Sequence, residues 1–345
     1  MENKKNISSK LIIFIGIFYS INYGSLCYSS MLMKDFDKIA WLIPLLTIIP
    51  FIILVFLYKA NNNLIMYKNS KLFKILLLIS SFINSAMWIY LSSQMLGISF
   101  YNLTQVSFFA IFSIIVIIIL SNMNLKVILR LGVLFTTGLF FFIPLLLDYQ
   151  NTYQPYLDII RPFDLSILKG FYYLTVVNEL FLYVTTNDFY EKPLSRKQLM
   201  FAGIIILLIT SLQIIDSYAM VTYKYYEDIM FPSLNRYFSH KGDRFVEHYD
   251  TLLLFIMLIT ALYKSAYYIS STKYFLETKN SVFNLFYFFF LTILVFIIIL
   301  NQDYFKYYLY LVTSISFILT FVIIYLSRKG VKHGKPKSII EDAWE

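Results

Sequence analysis

Glu179 lies inside the apolar stretch 171–184, and no basic residue stands next to it in the sequence. The stretch is typical of a membrane-spanning helix, and a carboxylate that faces hydrocarbon is costly. An ionisable side chain at such a depth therefore normally faces the protein interior or a water-filled cavity. The pattern predicts a ligand or ion path along this helix.

The neighbours of Glu179 extend the chemistry of this helix. At three- and four-residue spacing, Tyr172, Thr175, Glu179 and Tyr183 form one stripe, with Asn178 beside it. Hydroxyl, amide and carboxyl groups on one stripe suit a small zwitterionic or polyol ligand. In the alternative interpretation, Glu179 pairs with a lysine and only locks the helix bundle.

Lys264 is the candidate partner of Glu179. At about 1.5 Å per residue, Glu179 lies roughly 24 Å, and Lys264 roughly 21 Å, below the outer end of its own predicted helix. These similar depths predict a direct or water-bridged pair at the inner end of a central cavity, in a coupling or gating role. Alternatively, Lys264 extends to the cytoplasmic surface, about eight residues away.

The first predicted helix offers a second wall for the cavity. Tyr23, Gly24 and Ser25 place polar and small residues at mid-membrane, where a glycine can release backbone groups toward a cavity. Gly16 and Ser20 precede Gly24 at four-residue spacing, which allows another helix to approach closely.

The third predicted helix supplies Asn84 and Trp88 together with Ser81, Ser85 and Ser92 on roughly one face. This face is a candidate cavity wall, although helix packing through small residues explains the serines equally well. The predicted ligand-binding residues are Tyr23, Gly24, Ser25, Asn84, Trp88, Thr175, Asn178 and Glu179.

The composition places all these residues in a membrane protein. Hydrophobic residues make up 59% of the 345-residue chain and charged residues 14%, and the mean hydropathy is +0.68. This leaves too little polar surface to cover a soluble globular domain. The net charge of +9 is spread over short connections and the tail, which indicates orientation in a membrane rather than nucleic-acid binding.

The apolar segments predict one all-α membrane domain over 1–345, since a spanning helix needs roughly 20 apolar residues. The ten predicted helices cover about 11–33, 40–58, 72–97, 104–120, 126–147, 163–186, 199–222, 250–272, 281–300 and 305–326. An even count places both termini on one side. Most of the Lys and Arg residues fall on that side, which predicts that both termini are cytoplasmic.

The first and sixth predicted helices open the two halves of the chain, and both carry polar residues at mid-depth. Matched interruptions of this kind are expected of an inverted repeat of five plus five helices, with the ligand site at the repeat interface.

Enzymatic motifs are not found in the sequence. Cys27 is the single cysteine, and the three histidines, His240, His248 and His333, fall in polar segments outside the predicted spans. The sequence has no zinc-ligand spacing, no phosphate-cradling glycine loop and no nucleophile elbow. We therefore expect no catalytic residue, no cofactor and no metal.

Three stretches, 231–234, 242–250 and 264–268, carry a family resemblance that extends over nearly the whole chain, with weaker support from 37–41 and the sixth helix. The chain resembles the permease-like B subunit of endospore germinant receptors, within the amino acid, polyamine and organocation transporter superfamily. It departs from that pattern at His248, where the family has arginine, and at Asn178, where it has glycine. It also lacks a proline late in the first helix.

The resemblance implies a leucine-transporter-like fold of ten helices that binds a small nutrient between helices one, three, six and eight. It further implies assembly with a larger A subunit and a lipoprotein C subunit in the inner membrane of the endospore. The expected function is nutrient sensing, with an amino acid as the expected germinant, that starts germination through the partner subunits. The alternative is a proton-coupled secondary amino acid transporter in which Glu179 carries the proton.

Overall fold

The computed structural model describes residues 7–24, 28–36, 39–60, 64–100, 105–140, 165–220, 249–278 and 281–332, and these are almost entirely helical. In the first half, the helices are α1 Ser9–Tyr23, α2 Ser29–Phe36, α3 Leu42–Leu46, α4 Ile48–Leu57, α5 Leu64–Asn69, α6 Lys71–Phe100, α7 Val106–Ser121 and α8 Leu125–Phe140. In the second half, they are the 3-10 helix η1 Leu165–Leu174, α9 Thr175–Val184, η2 Asn187–Phe189, α10 Arg196–Met220, α11 Tyr249–Leu276, α12 Ser281–Leu300, η3 Gln302–Tyr304 and α13 Phe305–Lys332.

The apolar helices confirm the coarse prediction of an all-α chain suited to a membrane. Four of the described helices, within α6, α10, α12 and α13, are long and apolar enough to cross a bilayer. Helices α7 and α8 meet at a bend of 118° and together would supply a fifth span. These four or five candidate spans do not by themselves establish the predicted ten.

Three predicted helices are interrupted. The predicted span 11–33 is divided between α1 and α2, and the span 163–186 begins as the 3-10 helix η1 before it continues as α9. The span 40–58 is divided between α3 and α4 at Thr47. Pro50 explains this last break, because it has no N–H to donate to the carbonyl four residues earlier.

Burial separates central helices from peripheral ones. Every residue of α9 is buried, and α9 packs against α1, α10 and α13. Helix α6 packs against α7, α11, α12 and α13, and 56% of its most apolar window is buried, against 28% for α12. The interior around α9 and α6 therefore positions the candidate site, while α12 lies at the edge of the bundle.

Backbone hydrogen bonds connect two segments at the end of the bundle where α1 begins. This end is called here the N-terminal end. The Ile7 N–H donates to the Phe189 carbonyl at 3.0 Å, and the Glu191 N–H donates to the Ile7 carbonyl at 3.0 Å. The chain before α1 is thereby attached to the segment after α9.

Helix α11 reaches the same end and closes in a Schellman motif. Glu277 has a positive φ of 56°, and the Thr278 N–H donates to the Lys273 carbonyl at 3.3 Å. Lys68 Nζ lies 3.0 Å from Glu277 Oε1. The hydrogen bond between them lowers the pKa of Glu277 and raises the pKa of Lys68.

Candidate functional site

A buried ion pair lies at the centre of the helix bundle. Lys264 Nζ on α11 pairs with Glu179 Oε2 on α9, and the two side chains are 2% and 3% exposed. The Tyr268 hydroxyl donates to Glu179 Oε1 at 3.0 Å, and Lys264 Nζ lies 5.5 Å from the centroid of the Tyr23 ring. The predicted pairing of Glu179 with Lys264 is confirmed as a direct contact, which excludes extension of Lys264 to the cytoplasmic surface in this structure.

Helix geometry explains how the three groups meet. Lys264 and Tyr268 are four residues apart on α11 and so face the same neighbour. Glu179 lies at the middle of α9, which is buried on all sides, so its carboxylate must find partners inside the protein. The pair and the Tyr268 hydroxyl supply a partner to each carboxylate oxygen.

A small pocket adjoins the carboxylate of Glu179. It is lined by four helices, through Ser80 of α6, Asn178, Glu179 and Leu182 of α9, Tyr268 of α11, and Ser316, Leu319, Thr320 and Ile323 of α13. It has space for about one water molecule. A solute much larger than water does not fit in this pocket in the structure.

Four of the predicted ligand-binding residues have buried polar atoms without hydrogen-bond partners. These atoms are Asn84 Oδ1, Trp88 Nε1, Thr175 Oγ1 and both amide atoms of Asn178. A buried polar group without a partner costs about 1–3 kcal/mol, so such groups are few in folded proteins and call for an explanation. A bound polar solute or water would satisfy them.

Aromatic contacts connect the first and third predicted helices beside the pair. The rings of Tyr23 and Trp88 have centroids 5.2 Å apart, and Tyr23 also contacts Tyr28 at 5.4 Å. The Asn22 amide donates to Thr260 Oγ1 at 3.2 Å. Tyr23 therefore lies beside Lys264, and Trp88 packs against Tyr23, while a ligand role for both stays a prediction.

In the structure, Gly24 allows neighbouring helices to pack closely. A Cβ at Gly24 would lie 2.5 Å from the Tyr173 hydroxyl and 3.0 Å from Thr210 Cγ2, so this face of α1 meets η1 and α10. The predicted close approach at Gly16 is also present, since a Cβ there would lie 2.8 Å from Leu180 Cδ2 of α9. Ser25 lies outside the described residues, and a ligand role for Gly24 and Ser25 stays a prediction.

Four stacked tyrosines separate the ion pair from the N-terminal end of the bundle. Ring centroids are 4.3 Å apart for Tyr19 and Tyr263, 6.2 Å for Tyr263 and Tyr267, and 4.8 Å for Tyr267 and Tyr183. Interplanar angles of 9–18° make this a continuous stack across α1, α11 and α9. This tyrosine stack packs α1, α11 and α9 against one another on that side of the pair.

An ion pair lies toward the opposite end of the bundle. Lys306 Nζ of α13 lies 2.6 Å from Asp35 Oδ1 of α2, with side chains 48% and 20% exposed. Below them, the Tyr172 and Tyr310 rings meet edge to face with centroids 5.9 Å apart. An exposed ion pair of this kind contributes little to stability.

Sequence reasoning missed part of the site. Tyr268, Ser316 and Thr320 all line the pocket beside Glu179. The sequence does contain a signal for these residues, because Tyr268 follows Lys264 by four residues and Ser316 precedes Thr320 by four. Small hydroxyl side chains are common in membrane helices, and their spacing alone does not say which face meets the site.

Comparison of the chain with protein-family models and with curated proteins gives no match. Within the described ranges, no group of three or more His, Cys, Asp or Glu side chains is placed to hold a metal ion.

Proposed function

We propose that this chain is the nutrient-sensing B subunit of a spore germinant receptor. It binds a small germinant, an amino acid in the first instance, in a mid-membrane cavity and signals to an A subunit and a lipoprotein C subunit. It acts without catalysis, in the inner membrane of the endospore, with both termini on the spore-core side.

The observation that carries this proposal is the buried pair of Glu179 and Lys264 among unpartnered polar side chains. Amide, indole and hydroxyl groups without hydrogen-bond partners lie on α9, which carries Glu179, and on α6, which packs against α11. Asn178 and Thr175 on α9, with Asn84 and Trp88 on α6, are such groups, and a polar ligand would satisfy them.

The interrupted helices support the ten-helix arrangement that we propose for the chain. Both the first and the sixth predicted spans are broken, as α1–α2 and η1–α9. Broken helices in corresponding positions of two halves are the expected pattern of an inverted repeat with its site at the interface. We accordingly propose a leucine-transporter-like fold of five plus five helices.

Signalling requires two conformations that the germinant distinguishes, because a ligand with equal affinity for both shifts neither. The small pocket beside Glu179 and the partly exposed ion pair of Asp35 and Lys306 suggest how they differ. In our proposal, this ion pair lies on the side of the membrane that faces away from the spore core, and the germinant enters past it. The germinant then stabilises a rearrangement of α9 and α11.

The first experiment is a germination assay against a nutrient panel, with spores that lack this chain and spores complemented with wild type or Glu179→Gln. We expect the deletion to remove the response to at least one nutrient. Glu179→Gln should abolish the response or shift it strongly while the protein still accumulates. Glu277→Gln is a matched control, since it makes the same change at the exposed end of α11.

The second experiment separates sensing from transport. Purified chain in proteoliposomes is supplied with a labelled form of the nutrient to which the spores respond. Robust accumulation by this chain alone would favour the proton-coupled transporter and overturn the receptor proposal. An unchanged germination response of the deletion strain to every nutrient would overturn both.

A further inference from the structure

The buried charges that the structure describes balance one another. Among the side chains whose burial is described, Glu179 and Lys264 are the only charged ones that are buried, and they pair with one another. Polar atoms without partners on α6 and α9, those of Asn84, Trp88 and Thr175, belong to uncharged side chains. The candidate site therefore offers a ligand donors and acceptors but no net charge.

A charged ligand would meet an energetic barrier at such a site. Transfer of an uncompensated charge from water into a protein interior is strongly unfavourable unless the charge is paired. The charges of Glu179 and Lys264 already compensate each other, so a third charge would lack a counter-charge. A ligand whose charges sum to zero adds none.

Asn178 supplies an independent indication that the interior takes a neutral polar group. It is 3% exposed, it lines the pocket beside Glu179, and both its Oδ1 and Nδ2 atoms lack partners. An amide presents a donor and an acceptor side by side. A ligand that satisfies both must itself carry a donor and an acceptor, as zwitterions and uncharged polar solutes do.

We propose that the Glu179–Lys264 pair makes this site selective for small solutes of zero net charge and excludes cations and anions of similar size. This inference rests on the proposed nutrient-sensing function and specifies the class of its ligand. A zwitterion can bind by placing its carboxylate toward Lys264 and its ammonium group toward Glu179. An uncharged solute can bind with the pair left intact.

The test uses four compounds of nearly equal size. They are L-alanine, a zwitterion, L-lactamide, which is uncharged, L-alaninamide, a cation, and L-lactate, an anion. The same comparison is made on a larger scaffold with L-glutamine, L-glutamate, L-norleucine and L-lysine, and on any further nutrient that the panel identifies. Complemented spores give the half-maximal concentration for each compound.

We expect germination responses only to compounds of zero net charge. A response to alanine indicates a site for zwitterions, and a response to lactamide indicates a site for uncharged solutes. A response to a cation or an anion at a concentration equal to that of its neutral counterpart would overturn the inference and leave the sensing function intact. If no nutrient response depends on this chain, both the proposed function and this inference are overturned.

Variants then test whether the pair sets the selectivity. Lys264→Met leaves the carboxylate unbalanced, and the ratio of half-maximal concentrations for cation and neutral compound should fall at least about tenfold. Glu179→Gln should produce the corresponding change in favour of the anion. Lys273→Met and Glu277→Gln make the same charge changes on α11 away from the pair and should leave both ratios unchanged.

Membrane abundance of each variant is measured in the same spores. If a single variant does not accumulate, the charge-exchanged variant Glu179→Lys with Lys264→Glu takes its place, because it keeps the interior balanced. It should retain the preference for neutral compounds. Unaltered ratios in an accumulating single variant would refute the role of the pair.

Discussion

A double-mutant cycle on Glu179 and Lys264 would separate their structural role from their role in sensing. Removal of one partner of a buried ion pair costs about 3–5 kcal/mol, because the other charge is left buried and uncompensated. Both side chains are at most 3% exposed, so water offers little relief. We therefore expect Glu179→Gln and Lys264→Met each to lower the free energy of unfolding by this amount.

The combined variant should recover most of the loss. With Gln at position 179 and Met at position 264 no charge remains unbalanced, and the Gln side chain can still accept a hydrogen bond from Tyr268. Replacement of a buried pair by neutral groups of similar volume is often nearly neutral. We expect the double variant within about 2 kcal/mol of wild type, and a coupling energy of at least about 4 kcal/mol.

The free energies are measured by reversible unfolding of the purified chain in mixed micelles with increasing SDS. Lys273→Met is the control on α11, and its effect should add to that of Glu179→Gln without coupling. Additive losses from Glu179→Gln and Lys264→Met would refute the reasoning, because they would mean that neither charge compensates the other.

The nutrient response of the double variant completes the separation. If the pair recognises or couples the ligand, the double variant accumulates normally in the membrane but has lost the germination response. If the pair only locks the bundle, the double variant recovers both stability and response. The second outcome would contradict the proposed site.

Two further predictions concern the ends and the walls of the interior. A Cβ at Gly132 would lie 2.5–2.7 Å from three ring and hydroxyl atoms of Tyr263, so Gly132→Ala should destabilise the chain by about 1–3 kcal/mol through overpacking of the tyrosine stack, as measured by SDS unfolding. Gly97→Ala is its control, since the nearest described atom to its Cβ would be Val106 Cγ2 at 3.3 Å. A helical Gly→Ala change otherwise gains up to about 1 kcal/mol. Because Lys68 lowers the pKa of Glu277, the carboxylate stabilises the fold above the ordinary carboxyl pKa, and this contribution is lost as the pH falls through the lowered value. Glu277→Gln should therefore lower the thermal unfolding temperature slightly at about pH 7, and the difference from wild type should vanish in acid.

Each of these predictions has a clear contrary result. Equal effects of Gly132→Ala and Gly97→Ala would show that the Tyr263 ring moves aside without cost. If the difference in thermal unfolding temperature between wild type and Glu277→Gln grows in acid, the Lys68 contact does not stabilise the carboxylate.

Part of the fold could be read from the sequence because it depends on local chemistry. The length of apolar runs predicts helices such as α12, whose observed bounds match the prediction of 281–300. Pro50 accounts for the break within 40–58, although the sequence prediction treated this span as one continuous helix. The 3-10 winding of η1 has no comparable local cause, and packing of Gly170 against Ile43 of α3 accompanies it.

The sequence by itself determined that a carboxylate and an ammonium group lie at similar depth in one membrane domain, since the rise per residue of a helix is a local property. Only the tertiary structure decided which face each helix turns toward the pair. That rotation brought Tyr268 to Glu179 and lined the adjoining pocket with Thr320, while Gly24 was turned toward η1 and α10. The rotation of a helix about its axis is set by contacts with residues far away in the sequence, which no local spacing encodes.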